Sequence, residues 1–358
     1  MLVRNMEKNM DRISKIIHTD AKFALLAQEH WDSVAKPLRS FGVLEDFWNK
    51  IAAVQRTASP DISSRAVVVM CADNGVVDEG VTQTDRSVTR ICAEAIACGK
   101  SNINALASVY NAQVIAVDIG IAADVNCEKL LNRKIAYGSD NIAVGRAMNR
   151  ENVFKAIEVG MDIVGELSKR GVKLIVTGEM GIGNTTPTAA LSSVLLGLSP
   201  EAVTGRGAGL SSEMLRHKID VVRRAIAVNS PYSNDPAELI SKLGSYEIAG
   251  MTGLFLGGAV YGVTVIIDGV ISAVSAVIAS MFSEACKDYM LAGHVSAEPA
   301  GKRLLEKLGL KAVIDGCLRL GEGTGGILLL PLLDGAAAIY YNSHKFENSG
   351  IERYAELK

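Results

Sequence analysis

Aromatic residues make up only 5% of this 358-residue chain, with 8 prolines, 6 cysteines and 5 histidines. Each scarcity removes a class of function. So few rings supply no series of stacking platforms for single-stranded nucleic acid. Charge of either sign is not in excess: 37 lysines and arginines face 39 acidic residues, for a formal net charge of -2. Nothing in that balance draws in a polyanion. The cysteines (Cys71, Cys92, Cys98, Cys127, Cys286 and Cys317) form no C-x-x-C pair, and no histidine stands at ligand spacing to them. The sequence therefore offers no metal site. The amino-terminal MLVRNMEKNMDRISKII is charged and lacks an apolar signal core, which with free thiols points to the cytoplasm.

Glycine is abundant instead, at 34 residues in a chain that is 49% hydrophobic and 21% charged. That composition describes an ordered protein rich in tight turns and close backbone approaches. The length is about two domains at ~150 residues each, enough for a core without staples. One stretch, Ala249 to Ile267, runs 19 residues without a charge, long enough for a membrane span. Glycines at 250, 253, 257, 258 and 262 divide it, and β-branched VTVII follows. A buried helix and then a buried strand fit that pattern better.

Four short valine- and isoleucine-rich runs read as strands: Ala66 to Ala72, Gln113 to Gly120, Lys173 to Glu179 and Val263 to Gly269. Continuous apolar strands ending in polar residues predict a parallel sheet covered by helices on both faces, an α/β fold. Ligands of such sheets bind outside the carboxyl ends of the strands, so Asp73, Asp118, Glu179 and Asp268 are expected to border the site. Both chain ends lack strand patterns. They predict a small helical subdomain from residues 1–45 with 334–358, beside an α/β domain over 46–333.

Three glycine-rich segments carry the chemistry. In GEMGIGNTTPTAA a strand enters a loop with Gly178, Gly181 and Gly183, and a helix follows that Thr185 or Thr186 can cap, with Pro187 in its first turn. Free N–H groups and a positive dipole end there favour a phosphate, although no Walker A pattern occurs and a plain strand-to-helix turn remains open. In TGRGAGLSSEMLRHK a second loop holds Gly205, Gly207 and Gly209. Its helix carries an apolar stripe of Leu215, Ile219, Val222 and Ile226. Lys218 lies beside that stripe, placed to reach a phosphate or to stand solvated. In LRLGEGTGGILLLPLL, Glu322 stands between Gly321 and Gly323 among aliphatic residues. Desolvation there raises a carboxylate's pKa and suits general base work; a helix-capping glutamate is the alternative. His294 is placed to polarise a substrate, His217 falls on a polar helix face, and Cys92 reads as a small buried hydrophobe.

At these residues the chain resembles the nicotinate-nucleotide:dimethylbenzimidazole phosphoribosyltransferase family. The matching blocks run nearly end to end in one order: KPLRSFGVLE, VVVMCADNGVVDEGV, NIAVGRAM, GEMGIGNTTPTAA, KIDVVRRAIAVN, GMTGLFLGGA, HVSAE and RLGEGTGG. The resemblance implies transfer of phosphoribosyl from nicotinate mononucleotide to an aromatic base for cobamide biosynthesis, without cofactor or metal, by a dimeric cytoplasmic enzyme. It implies a Rossmann-like parallel sheet with helices on both faces plus a small helical domain from both chain ends, with Glu322 as catalytic base and Glu179 near the reacting ribose and nicotinate. It implies nucleotide binding by Gly181, Gly183, Asn184, Thr185, Thr186, Gly205, Arg206, Gly207, Lys218 and Ser296.

Departures gather on the acceptor side. Asn74 stands where such enzymes commonly have histidine, and K-P-P-G-S becomes Lys36-Pro37-Leu38-Arg39-Ser40. Thr84 stands where they have serine and Cys92 where they have glutamine, two positions that the resemblance sets beside the bound base. These changes leave a benzimidazole or a phenol such as p-cresol as acceptor. They leave a homodimer or a heterodimer with a paralogue as the assembly. Neither nucleic acid nor membrane is an expected partner.

Overall fold

The computed structural model describes residues 2–231 and 234–354. The ends of the expected helical subdomain, residue 1 and residues 355–358, lie outside them. Six parallel strands form one sheet: β1 (Arg65–Ala72), β2 (Gln113–Gly120), β3 (Leu131–Asn132), β4 (Leu174–Met180), β5 (Thr264–Ile267) and β6 (Met290–Ala292). The four strands read from sequence are present within a few residues of their expected ends. The other two, β3 and β6, are two and three residues long, too short to show a pattern. Across the sheet the order is β3-β2-β1-β4-β5-β6, so the chain reverses direction between β1 and β4. That reversal opens a crevice at the strands' carboxyl ends.

β1 divides the core because its side chains alternate between faces. Val68 and Met70 join a cluster with Ile157, Leu254 and Val274, from the helices Arg150–Lys169, Tyr246–Tyr261 and Val270–Phe282. Val67, Val69 and Cys71 join Trp48, Ile96, Ile103 and Leu333 on the opposite face. The uncharged run Ala249 to Ile267 is a buried helix and then β5, as its glycines imply. A Cβ on Gly253 would lie 2.2 Å from the Ile157 carbonyl, and one on Gly160 would lie 2.2 Å from that of Gly250. Two helix backbones touch there, so the run packs against protein. Among the described residues one helical stretch, Thr324–Asn342, is long and apolar enough to cross a membrane. Its Leu329, Leu330 and Leu333 are fully buried in the second cluster.

The chain ends meet through aromatic rings. Trp31 of the helix Ala21–Ser33 and Trp48 of the helix Val43–Gln55 lie 4.9 Å and 5.5 Å from the ring of Tyr340, in the helix Leu329–Asn342. Val34 bridges to Lys345. The altered K-P-L-R-S segment belongs to this layer: Lys36 pairs with buried Glu45 at 2.7 Å and lies over the Trp31 ring. It takes no part in lining the cavity described below. The expected boundaries at 45/46 and 333/334 fall inside the helices Val43–Gln55 and Leu329–Asn342.

Candidate active site

A cavity of about 370 Å³ opens where the strand order reverses, within the range of small-molecule sites. It gathers Thr84, Glu179, Gly181, Gly183, Asn184, Thr185, Arg206, Gly207, Lys218, Ser296 and Glu322. Asp268 and His294 line it as well. Thr186, Gly205 and Cys92 do not.

Glu322 is held by unusual backbone. Gly321, Glu322 and Gly323 have φ of 88°, 61° and 89°, three successive residues in the left-handed region. A non-glycine residue there is strained and needs its surroundings to keep it in place. β4 supplies that support: a Cβ on Gly178 would lie 2.6 Å from the Glu322 carbonyl, so the turn rests directly on the strand. The side chain is half-buried rather than enclosed by aliphatic residues. Its Oε2 accepts a hydrogen bond of 3.2 Å from the backbone N–H of Ile103, in the first turn of the helix Asn102–Val109. The short helix after it, Thr324–Ile327, takes no side-chain cap from Glu322.

The deeply buried carboxyl is Glu179, 9% exposed at the end of β4. Burial pushes it up to about 8, a hydrogen bond from Asn184 draws it back, and the nearby charges of Asp268, Glu247 and Glu322 push it further up. At neutral pH the protein therefore holds this group as the neutral acid. Asn184 Nδ2 donates to Glu179 Oε2, which corrects the expected capping. Asn184, not Thr185 or Thr186, is the N-cap of the helix Thr185–Leu196, and its amide is turned to the carboxyl instead of the helix end. Thr186 is fully buried with its hydroxyl unpartnered.

Thr185 faces Lys218. Lys218 Nζ donates to Thr185 Oγ1 at 2.6 Å, and the lysine is 1% exposed. It is part of the buried face of the helix Ser212–Asn229 with Val221, Val222 and Ala225, whereas Leu215, Ile219 and Ile226 are only half-buried. The buried face is thus rotated by about one position from the expected stripe. Burial lowers Lys218 to about 8, opposed by the charge of Glu298. A buried ammonium beside the Gly207 backbone makes an anion cradle. Arg206 lines the cavity, but its guanidinium donates to the Leu210 carbonyl and Ser212 Oγ, bracing its own loop.

Two of the carboxylates expected at the rim serve loops instead. Asp73 accepts from the Ala122 N–H, and Asp118 accepts from the Ile121 N–H beside Lys134; neither lines the cavity. His217 is exposed, as its helix face implies, and its Nε2 lies 2.6 Å from the Glu79 carbonyl oxygen. Leu320 and Glu298 also form part of the wall, and no sequence pattern singled them out. Glu298 stands two residues after Ser296 in HVSAE, close enough to have been drawn in with it. Among the described residues no group of three or more His, Cys, Asp or Glu is arranged to hold a metal ion.

A family model described as phosphoribosyltransferase matches residues 16–351. The nicotinate-nucleotide–dimethylbenzimidazole phosphoribosyltransferase of Acetivibrio thermocellus is 43% identical over 92% of this chain and 94% of its own. That of Clostridium acetobutylicum is 39% identical over 98% of this chain and 100% of its own. The crystal structure of CobT from Thermus thermophilus superposes with a TM-score of 0.88 at 36% identity, covering 93% of this chain and 100% of that one. The chain belongs to this phosphoribosyltransferase family.

Within the family frame the acceptor-side departures separate. Thr84 is exposed on the cavity wall. Cys92, in the helix Ser87–Ala97, is half-buried outside the lining, its thiol pushed up by burial and then by the charge of Glu322. Asn74 is not part of the wall at all. It is 1% exposed and donates to Glu247 Oε1 at 2.8 Å beneath the Gly181 loop.

Proposed function

We propose that this protein transfers the phosphoribosyl group of nicotinate mononucleotide to dimethylbenzimidazole or a closely related aromatic base, giving an α-riboside 5′-phosphate and nicotinate. The observation that carries this reading is one cavity with an anion cradle at Lys218, Thr185 and Gly207 and a backbone-mounted carboxylate, Glu322, at its rim. The 5′-phosphate takes the cradle, together with Ser296, Gly181 and Gly183, and thereby fixes the ribose. The imine-type nitrogen of the base attacks C1′ from the face opposite nicotinate. As that bond forms, the C1′–nicotinate bond breaks and its electron pair returns to the pyridine nitrogen. Nicotinate leaves without needing a proton. Glu322 takes the proton from the other ring nitrogen of the base. We assign Glu179 to the pyridinium side of the donor. That charge favours its ionised form, the proton passing to solvent as the donor binds, and the carboxylate then faces the positive charge developing on the sugar carbon.

No step calls for a cofactor, so a chelator is expected to leave the rate unchanged. A phenol acceptor with a paralogous subunit has no observation of its own in its favour. We place the enzyme in the cytoplasm, working as a dimer with its chain-end helices as a subdomain (residues 1–45 with 334–358 beside 46–333). Light scattering of the purified chain tests the dimer. The acceptor is tested by following nicotinate release with dimethylbenzimidazole, a purine and p-cresol in turn. Release with the benzimidazole is expected; release with p-cresol alone contradicts the acceptor reading.

A further inference from the structure

The anion cradle already contains an anion of the protein's own. Glu298 Oε1 accepts a hydrogen bond of 3.1 Å from the Gly207 N–H. Its other oxygen lies so close to Gly205 that a Cβ there would stand 1.8 Å from it, with Pro299 Cδ at 2.8 Å. Gly205 lacks positive φ, so the absence of a Cβ there serves to admit the Glu298 carboxylate and Pro299 rather than a strained backbone. On the far side of Gly207 are Thr185 Oγ1 and Lys218 Nζ, which a Cβ on Gly207 would approach to 3.0 and 3.5 Å. The carboxylate, the donor N–H and the buried ammonium therefore share one corner of the cavity.

We infer that Glu298 stands in for the donor's phosphate: its carboxylate occupies the cradle at Gly207, beside Thr185 and Lys218, until the incoming 5′-phosphate displaces it. The inference rests on the proposed assignment of that cradle to phosphate. The exchange needs only a side-chain swing. The Glu298 backbone is anchored at both ends, its N–H on Ser296 Oγ and its carbonyl on the Gly301 N–H. The residue is half-exposed, so water is within reach of the displaced carboxylate. Ser296 Oγ, while accepting from Glu298, keeps its own proton for the phosphate. An internal anion makes the cradle selective. Inorganic phosphate has only the cradle to offer and competes poorly, whereas the mononucleotide brings ribose and ring contacts that cover the exchange.

The test measures inhibition by inorganic phosphate in wild type, Glu298→Gln and Glu298→Ala, with donor KM for nicotinate mononucleotide and nicotinate riboside alongside. The expected result is roughly tenfold tighter phosphate inhibition in Glu298→Gln and more in Glu298→Ala, as a repelling charge leaves the cradle. KM for the mononucleotide falls and KM for the riboside stays put. Glu298→Asp, whose shorter side chain cannot reach Gly207, gives an intermediate value and serves if the larger changes unfold the protein. Unchanged or weaker phosphate inhibition in the folded variants overturns the inference, as does a raised KM for the riboside, which would make Glu298 a sugar ligand. The cradle assignment fails separately: it falls if wild type and Lys218→Ala both treat mononucleotide and riboside alike.

Discussion

Glu322 keeps its place at a cost, since a non-glycine residue held in the left-handed region carries about 1–3 kcal/mol of strain. Glu322→Gln keeps the shape and removes the proton acceptor. The expected outcome is a fall in kcat of ~10²–10⁴-fold with nearly unchanged donor KM, read in steady-state kinetics. A rate equal to wild type would make the residue structural. Glu179 adds a stability test. Its carboxyl, pushed up to about 8, holds a proton in the folded protein that the unfolded chain has lost once pH exceeds about 4.5. Between those values the folded state binds more protons, so stability falls as pH rises. Glu179→Gln removes that dependence. Relative to wild type it should be stabilised by on the order of 1–3 kcal/mol at pH 8, and by little at pH 4.5, in urea titrations. Turnover should fall in the same variant.

Helices, strands and loops position these groups, and their mutual contacts explain what the sequence disclosed. The strands are legible because parallel strands buried on both faces must be continuous apolar runs, and β1 is such a run from Ala66 to Ala72. The N-cap at Asn184 is not, because its amide is committed to Glu179 across space. Local pattern also favours a surface or flanking place for Lys218, while the helix Ser212–Asn229 in fact buries it against Thr185. Asn74 is hidden for the same kind of reason: its partner Glu247 lies 173 positions away. The contact between β4 and the Glu322 turn can be tested at Gly178. Gly178→Ala sets a methyl against the Glu322 carbonyl, so the 321–323 turn must shift. The expected result is a kcat loss of at least tenfold with the fold retained by circular dichroism, since a displacement of about 1 Å at a reacting group can cost ~10²-fold. Lys218 tests the packing of its helix. Because burial lowers it to about 8, the free enzyme loses its ammonium as pH rises past that value. Then kcat/KM for the mononucleotide falls above pH 8, while that for the riboside does not follow it.

Across the molecule, the strand order places β1 and β4 at the centre of the sheet, and the reversal between them is where the two glycine loops and the Glu322 turn converge. The glycine loops and Glu322 are visible in the sequence. That Glu298 closes the cradle and that Cys92 stands outside the wall are not, because both depend on how distant segments approach. The whole arrangement implies base-dependent transfer with inversion at C1′. Proton NMR of the products formed by purified protein from nicotinate mononucleotide and dimethylbenzimidazole decides the matter. Nicotinate and the α-riboside 5′-phosphate of dimethylbenzimidazole are expected in equal amounts, with neither formed when the base is omitted. A β-riboside, or ribose 5-phosphate released at the same rate without the base, would contradict that mechanism.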